Sequence, residues 1–296
     1  MEYEPEEFDD SFTPLWKMKP DGSDFGILHV PDQKRCSRTS YENATELPDG
    51  RLGFVRACES GNEIDPSEFT FMAYDVDDGR LETLTSLDVG PGPYTWNTNL
   101  TRGLFSRSSD ICAGIGALSR RGFEPLDVTI SEGGRSWRID THLRRSPDEP
   151  CDDEGRAKDP AWSPDGSTVA FLASPTSIGV RGRARLKEPW NLYLMAPVGA
   201  PTAVLEGLTG PTGPIWSPDS RALAFSAEFP GEGPGAFVFS LGDRRQRRVA
   251  RGQVSPASWS PDGTRLLAIR YPGRREESPP SAELVVLELS PTSSSR

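Results

Sequence analysis

Short runs in which apolar residues alternate with small or polar ones, broken by Pro, Asp and Gly, fill most of this chain. Val169 with Phe171, and Leu223 with Phe225, alternate as half-buried strands do. Gly (29) and Pro (28) make up about a fifth of the 296 residues. That density suits many short strands joined by tight turns and argues against long helices. No stretch of about 20 apolar residues is present, so the residues given predict no membrane-spanning helix.

The strand signals repeat. Three segments align without gaps: 161–173 (Ala-Trp-Ser-Pro-Asp-Gly-Ser-Thr-Val-Ala-Phe-Leu-Ala), 215–227 and 258–270. Their shared residues are Trp162, Pro164, Asp165 and Gly166, then Trp216, Pro218 and Asp219, then Trp259, Pro261, Asp262 and Gly263. A weaker copy at 47–55 keeps the turn and loses the Trp, and another at 96–105 keeps Trp96 and replaces the turn. Pro presets φ for a turn, Asp hydrogen-bonds nearby amides, and Gly takes the left-handed position that closes a hairpin. Trp before the turn is large enough to wedge between neighbouring sheets. A second apolar pair follows each hairpin, as at 191–195 with 202–205 and 236–239 with 247–249. Four antiparallel strands per repeat describe the blades of a β-propeller, which must repeat around a ring to bury both faces.

These Trp-Ser-Pro-Asp-Gly repeats resemble the TolB-type propeller family, whose WD-like repeats also gate prolyl-oligopeptidase enzymes. The resemblance covers about 40–296 and is strongest at 160–270. It implies an all-β propeller of four-stranded antiparallel blades at 14–296; the acidic residues ahead of it predict a flexible tail at 1–13. Six blades are favoured and five are the alternative. Ring closure is expected from mixed chain termini, with 25–30 beside 284–289. The resemblance also implies an extracytoplasmic, envelope-associated role.

Charge and cysteines narrow the function classes. Acids outnumber bases 44 to 33, for a net charge of −11, which excludes a generic nucleic-acid binder. Residues 1–10 are acidic and carry no basic residue, unlike a secretory signal. Cys36, Cys58, Cys112 and Cys151 permit three pairings. The sequence neighbours, Cys36 with Cys58 and Cys112 with Cys151, would each staple a local loop; four unpaired thiols are the other reading. Bridges would require an oxidising compartment and an export signal upstream. With two His and no Cys-x-x-Cys, no zinc site, other metal or cofactor is expected.

Candidate chemistry concentrates in the connections. Segments 58–68, 174–189, 228–235 and 271–282, with the crossing 131–158, are predicted as long loops on one face, the recognition face. Arg181, Arg183, Arg185 and Lys187 form a basic island there, able to grip an acidic partner. Arg244, Arg245, Arg247 and Arg248 are expected to solubilise an outer edge. Asp152, Asp153 and Glu154 lack the spacing of a calcium loop, and a hairpin turn explains Asp75, Asp77 and Asp78. No nucleophile elbow, His-Glu-x-x-His motif or phosphate loop occurs, and His29 and His142 fall away from a central channel. The sequence therefore predicts a monomeric, non-enzymatic propeller that holds a protein or peptide partner on its long-loop face. The alternatives are a small-molecule or glycan sensor, and a lyase or hydrolase sited in the channel.

Overall fold

The computed structural model describes residues 12–13, 15–17, 23–28, 30, 36, 38–59, 68–87, 91–107, 115–119, 122–124, 129–132, 135–138, 155–175, 189–196, 199–272 and 282–289. Every regular element among them is a β-strand. Ahead of the repeats lie β1 (Phe12–Thr13), β2 (Leu15–Lys17) and β3 (Gly26–Leu28). The first sheet contains β4 (Arg38–Glu46), β5 (Leu52–Glu59), β6 (Glu68–Tyr74) and β7 (Leu81–Leu87). The second contains β8 (Pro91–Trp96), β9 (Arg102–Arg107), β10 (Ile115–Ser119) and β11 (Gly122–Glu124). A separate hairpin follows, β12 (Thr129–Glu132) with β13 (Arg135–Arg138).

The third sheet runs β14 (Gly155–Trp162), β15 (Val169–Pro175), β16 (Trp190–Met195) and β17 (Thr202–Trp216). The fourth begins on that same β17 and adds β18 (Ala222–Phe229), β19 (Gly233–Ser240) and β20 (Arg245–Arg251). The last sheet has β21 (Val254–Trp259), β22 (Arg265–Arg270) and β23 (Glu283–Glu288). Successive strands within each sheet pair antiparallel. The protein is therefore all-β, built from several antiparallel sheets that follow one another along the chain.

Sheets stack face to face in chain order. Val55, Phe71, Tyr94, Trp96 and Phe105 form one core between the first and second sheets. Leu104 meets Ala157, Val169, Phe171 and Tyr193 between the second and third. Leu172, Leu192, Trp216, Phe225 and Phe237 fill the space between the third and fourth. Val238, Val254, Leu266 and Ala268 join the fourth to the last. Alternation in the second strands therefore means something other than a half-buried strand. Val169 through Ala173 are all buried, because odd positions face one neighbouring sheet and even positions the other.

Several expectations are corrected. β3 pairs with β2, and their hairpin packs Leu15 and Leu28 on the first sheet. Among the described residues β23 pairs only with β22, so the expected pairing of 25–30 with 284–289 is not formed. Phe12–Thr13, at the end of the acidic segment, pair parallel with Thr39 and Ser40. Segment 228–235 is a tight hairpin, with Glu228 opposite Pro234 and Phe229 opposite Gly233. The crossing 131–158 includes β13 and the start of β14. Residues 202–216 form one strand, where the sequence suggests an outer strand of one unit and a first strand of the next. Positive φ at Gly207, Gly210 and Gly213 lets that strand turn between two sheets without a break.

Candidate functional site

The repeat turns show which residues the fold uses up. Ser163 Oγ donates to Asp165 Oδ1 at 2.6 Å and accepts the Thr168 amide at 3.0 Å. Ser217 with Asp219 and Ala222, and Ser260 with Asp262 and Arg265, repeat the arrangement. The Ser before Pro, unassigned in the sequence reading, thus locks turn to return strand. Its hydroxyl is also the main reason that the turn carboxyls sit low: Ser260, then the Thr264 amide, hold Asp262 down to about 2, with Asp165 and Asp219 also lowered. In the Trp96 copy, Asn97 Oδ1 accepts the amides of Thr101 and Arg102 in place of that Ser.

The last two repeat Trp residues are each tied to the preceding repeat. Trp216 Nε1 donates to Ala161 O at 2.9 Å, and Trp259 Nε1 donates to Ile215 O at 3.2 Å. Ala161 and Ile215 are the residues just before the previous Trp. Ser220 stands where the sister turns have Gly. It keeps the left-handed conformation (φ 59°), and its hydroxyl accepts the Asp165 amide across the sheet boundary. The turn aspartates and the Trp216 and Trp259 indoles thus make their hydrogen bonds within the fold.

The less ordinary chemistry lies on the first strand of each sheet. All five first strands carry a register irregularity shortly before the Trp position, between Glu42 and Thr45, Pro91 and Tyr94, Lys158 and Ala161, Thr212 and Ile215, and Pro256 and Ser258. Asn43, Asp159 and Gly213 occupy equivalent places in three of these bulges, all at left-handed φ (53°, 52° and 73°). Asn, Asp and Gly are the residue types that adopt this conformation most readily.

Asp159 is also a junction of three sheets. Its amide donates to Ser106 Oγ of β9 at 2.6 Å, and its carboxylate accepts the Gly213 amide from the next bulge. Lys158 Nζ stands 3.8 Å from Asp159 Oδ2, donates to Pro211 O at 2.6 Å and lies 5.0 Å from the Trp190 ring centroid. Burial outweighs these favourable contacts, Lys158 first among them, and pushes the Asp159 carboxyl above its ordinary range. The Asp159 and Lys158 side chains keep 16% and 27% of their surface exposed, respectively. Burial thus disfavours the charged form of a carboxyl that stands beside a cation in a repeat bulge, an arrangement found at functional sites.

This junction lies at one end of the sheet. Gly155 pairs with Pro175, Lys158 with Leu172 and Trp190 with Leu208, so it sits close to where β15 leaves and β16 returns. The connection at 176–188, with Arg181, Arg183, Arg185 and Lys187, lies outside the described residues, as do Cys112, Cys151, Asp152, Asp153, Glu154, His29 and His142. Cys36 and Cys58 form a disulfide. Asp75 caps its hairpin by accepting the Asp77 and Asp78 amides. Arg248 donates to Glu232 O across the outer hairpin of the fourth sheet.

Asp159→Asn preserves shape and left-handed preference while removing the penalised charge. It is expected to match or exceed the parent in thermal stability at pH 7. The pH dependence has a definite sign. A carboxyl raised in the folded state binds its proton more tightly than in the unfolded chain, so its penalty is relieved as pH falls from neutral through the raised value. The gap between variant and parent should therefore narrow on acidification, in paired melting curves from pH 7 to 4. The turn aspartates work oppositely: their lowered values add stability above the ordinary carboxylate range that is lost as pH falls toward 2.

No protein-family model matches the chain. Over 112 residues it is 29% identical to "Uncharacterized peptidase YuxL" of Bacillus subtilis (strain 168), covering 37% of this chain and 16% of that protein. Among solved structures it is similar to TolB from Acinetobacter baumannii, with a TM-score of 0.57 and 14% identity over 93% of this chain and 57% of that one. It is also similar to an oligogalacturonate lyase in complex with manganese, with a TM-score of 0.56 and 13% identity over 94% and 72% of the two chains. These structures support a TolB-like, propeller-type fold. The expectation that the chain is not an enzyme is contradicted by a curated relative over part of the chain that is named a peptidase.

Proposed function

We propose that the chain is a peptide-recognising propeller serving a peptidase-type activity, and that it takes a protein or peptide partner on the face where the β15–β16 connection emerges. The observation that carries this reading is the sequence kinship to a protein named as a peptidase, joined to a stack of sheets of propeller type. The Lys158–Asp159–Trp190 junction supports the choice of face, since it brings a cation, a carboxyl and an aromatic ring to that end of the third sheet. By sequence, the adjoining connection adds Arg181, Arg183, Arg185 and Lys187. The Cys36–Cys58 disulfide supports an oxidising, extracytoplasmic compartment.

The Arg181→Ala, Arg183→Ala, Arg185→Ala triple variant tests the face. Capture of peptides from a labelled library is expected to fall while the melting temperature stays within about a degree, as for surface changes. Capture equal to that of the parent would refute the assignment of this face.

A further inference from the structure

We propose that Lys158, seated on the Trp190 ring and held by the Pro211 carbonyl, is the point where this face takes a carboxylate of a bound acidic peptide, with Asp159 as the built-in competitor for the same ammonium. The inference rests on the peptide-binding reading above and names the chemistry of its ligand.

Comparison of the bulges supplies the first argument. The backbone needs only a residue that tolerates left-handed φ, and Asn43 and Gly213 meet that need without charge. Asp159 alone of the three brings a carboxylate, into surroundings that penalise its ionised form. A neutral amide would meet the backbone's need, so the carboxylate is an addition to what the bulge requires. The structure places that charge beside Lys158.

Donor geometry supplies the second. An ammonium has three N–H donors. Pro211 O takes one of Lys158's at 2.6 Å, whereas the ion pair to Asp159 spans 3.8 Å, wider than a hydrogen bond. The ring of Trp190 fixes the position of the charge without accepting a conventional hydrogen bond. Lys158 is thus oriented, partly exposed and held only loosely by its carboxylate, and a ligand carboxylate in direct contact would displace that pairing. Because the whole chain carries a net charge of −11, long-range attraction cannot account for capture of an anion. Binding of an acidic peptide would have to come from a local contact of this kind.

The test uses the intact chain at pH 7 and fluorescence anisotropy with four labelled probes: hexaglutamate blocked at both ends, a Gly-Ser hexapeptide with a free C-terminal carboxylate, the same hexapeptide amidated, and an oligogalacturonate. Binding of either carboxylate probe above the amidated control is expected, and which one binds identifies the source of the carboxylate. Lys158→Met, which keeps the hydrocarbon on Trp190, should weaken that binding about tenfold or more. Asp159→Asn should tighten it about two- to fivefold by removing the competitor. Melting curves of both variants separate a local effect from loss of fold. Carboxylate probes that bind the parent but respond to neither substitution overturn the Lys158 site and leave the peptide reading standing. Binding of oligogalacturonate with no binding of any peptide overturns both.

Discussion

Trp216→Ala is expected to destabilise the protein by about 3–5 kcal/mol, the usual cost of truncating a large buried aromatic residue. Trp216 is 8% exposed and packs in the core between the third and fourth sheets with Leu172, Leu192 and Phe225. Its indole N–H also ties the fourth repeat to Ala161 O of the third. Truncation removes both contributions. Trp216→Phe isolates the second, since it keeps most of the ring and deletes the donor, and should cost about 1 kcal/mol. Trp259, tied in the same way to Ile215 O, is only half-buried on the last sheet, so Trp259→Ala should cost clearly less. Denaturant titrations of the three variants check this order; equal losses for the two alanine variants would show that position in the stack does not govern the role of the Trp.

Removing the Cys36–Cys58 bridge should cost about 3 kcal/mol on the loop-entropy account, for a crosslink whose cysteines are 22 residues apart. The bridge ties the segment ahead of β4 to the end of β5, where Cys58 lies opposite Thr39. Arg56, buried in β5, also donates to Cys36 Sγ. The expected result is a lower melting temperature for Cys36→Ala, Cys58→Ala under oxidising conditions. Dithiothreitol should lower the parent toward that value. A parent and double variant that melt together without reductant would show that the crosslink does not contribute to stability.

What could be read from the chain, and what could not, follows the range of the forces involved. The Trp-Ser-Pro-Asp turns were legible because their bonds close within five residues, as from Ser163 to Thr168. The succession of short strands was legible because apolar runs are punctuated by Pro, Asp and Gly, although the alternation within them marks which neighbouring sheet a residue faces and not half-burial. The β17 continuity was not, since Thr202–Trp216 reads as two strands separated by Gly and Pro, and only pairing with β16 on one stretch and β18 on the other makes it one. The junction at Asp159 was missed for a related reason. Its partners, Ser106 and Gly213, lie 53 or more residues away in sequence, where local patterning is silent. One signal was present: Asp159-Pro160 and Gly213-Pro214 stand at the same distance before Trp162 and Trp216. A left-handed residue followed by Pro at a fixed offset marks a repeated bulge, and a charged residue at such a place is the one to question.

The shared strand has a mechanical consequence. Because β17 hydrogen-bonds to β16 along its first half and to β18 along its second, the third and fourth sheets have no slack linker between them. Thermal opening of either must tug on the backbone of the other. The two are therefore expected to fray and re-form together, and a fragment meant to keep the Lys158 junction should run through both.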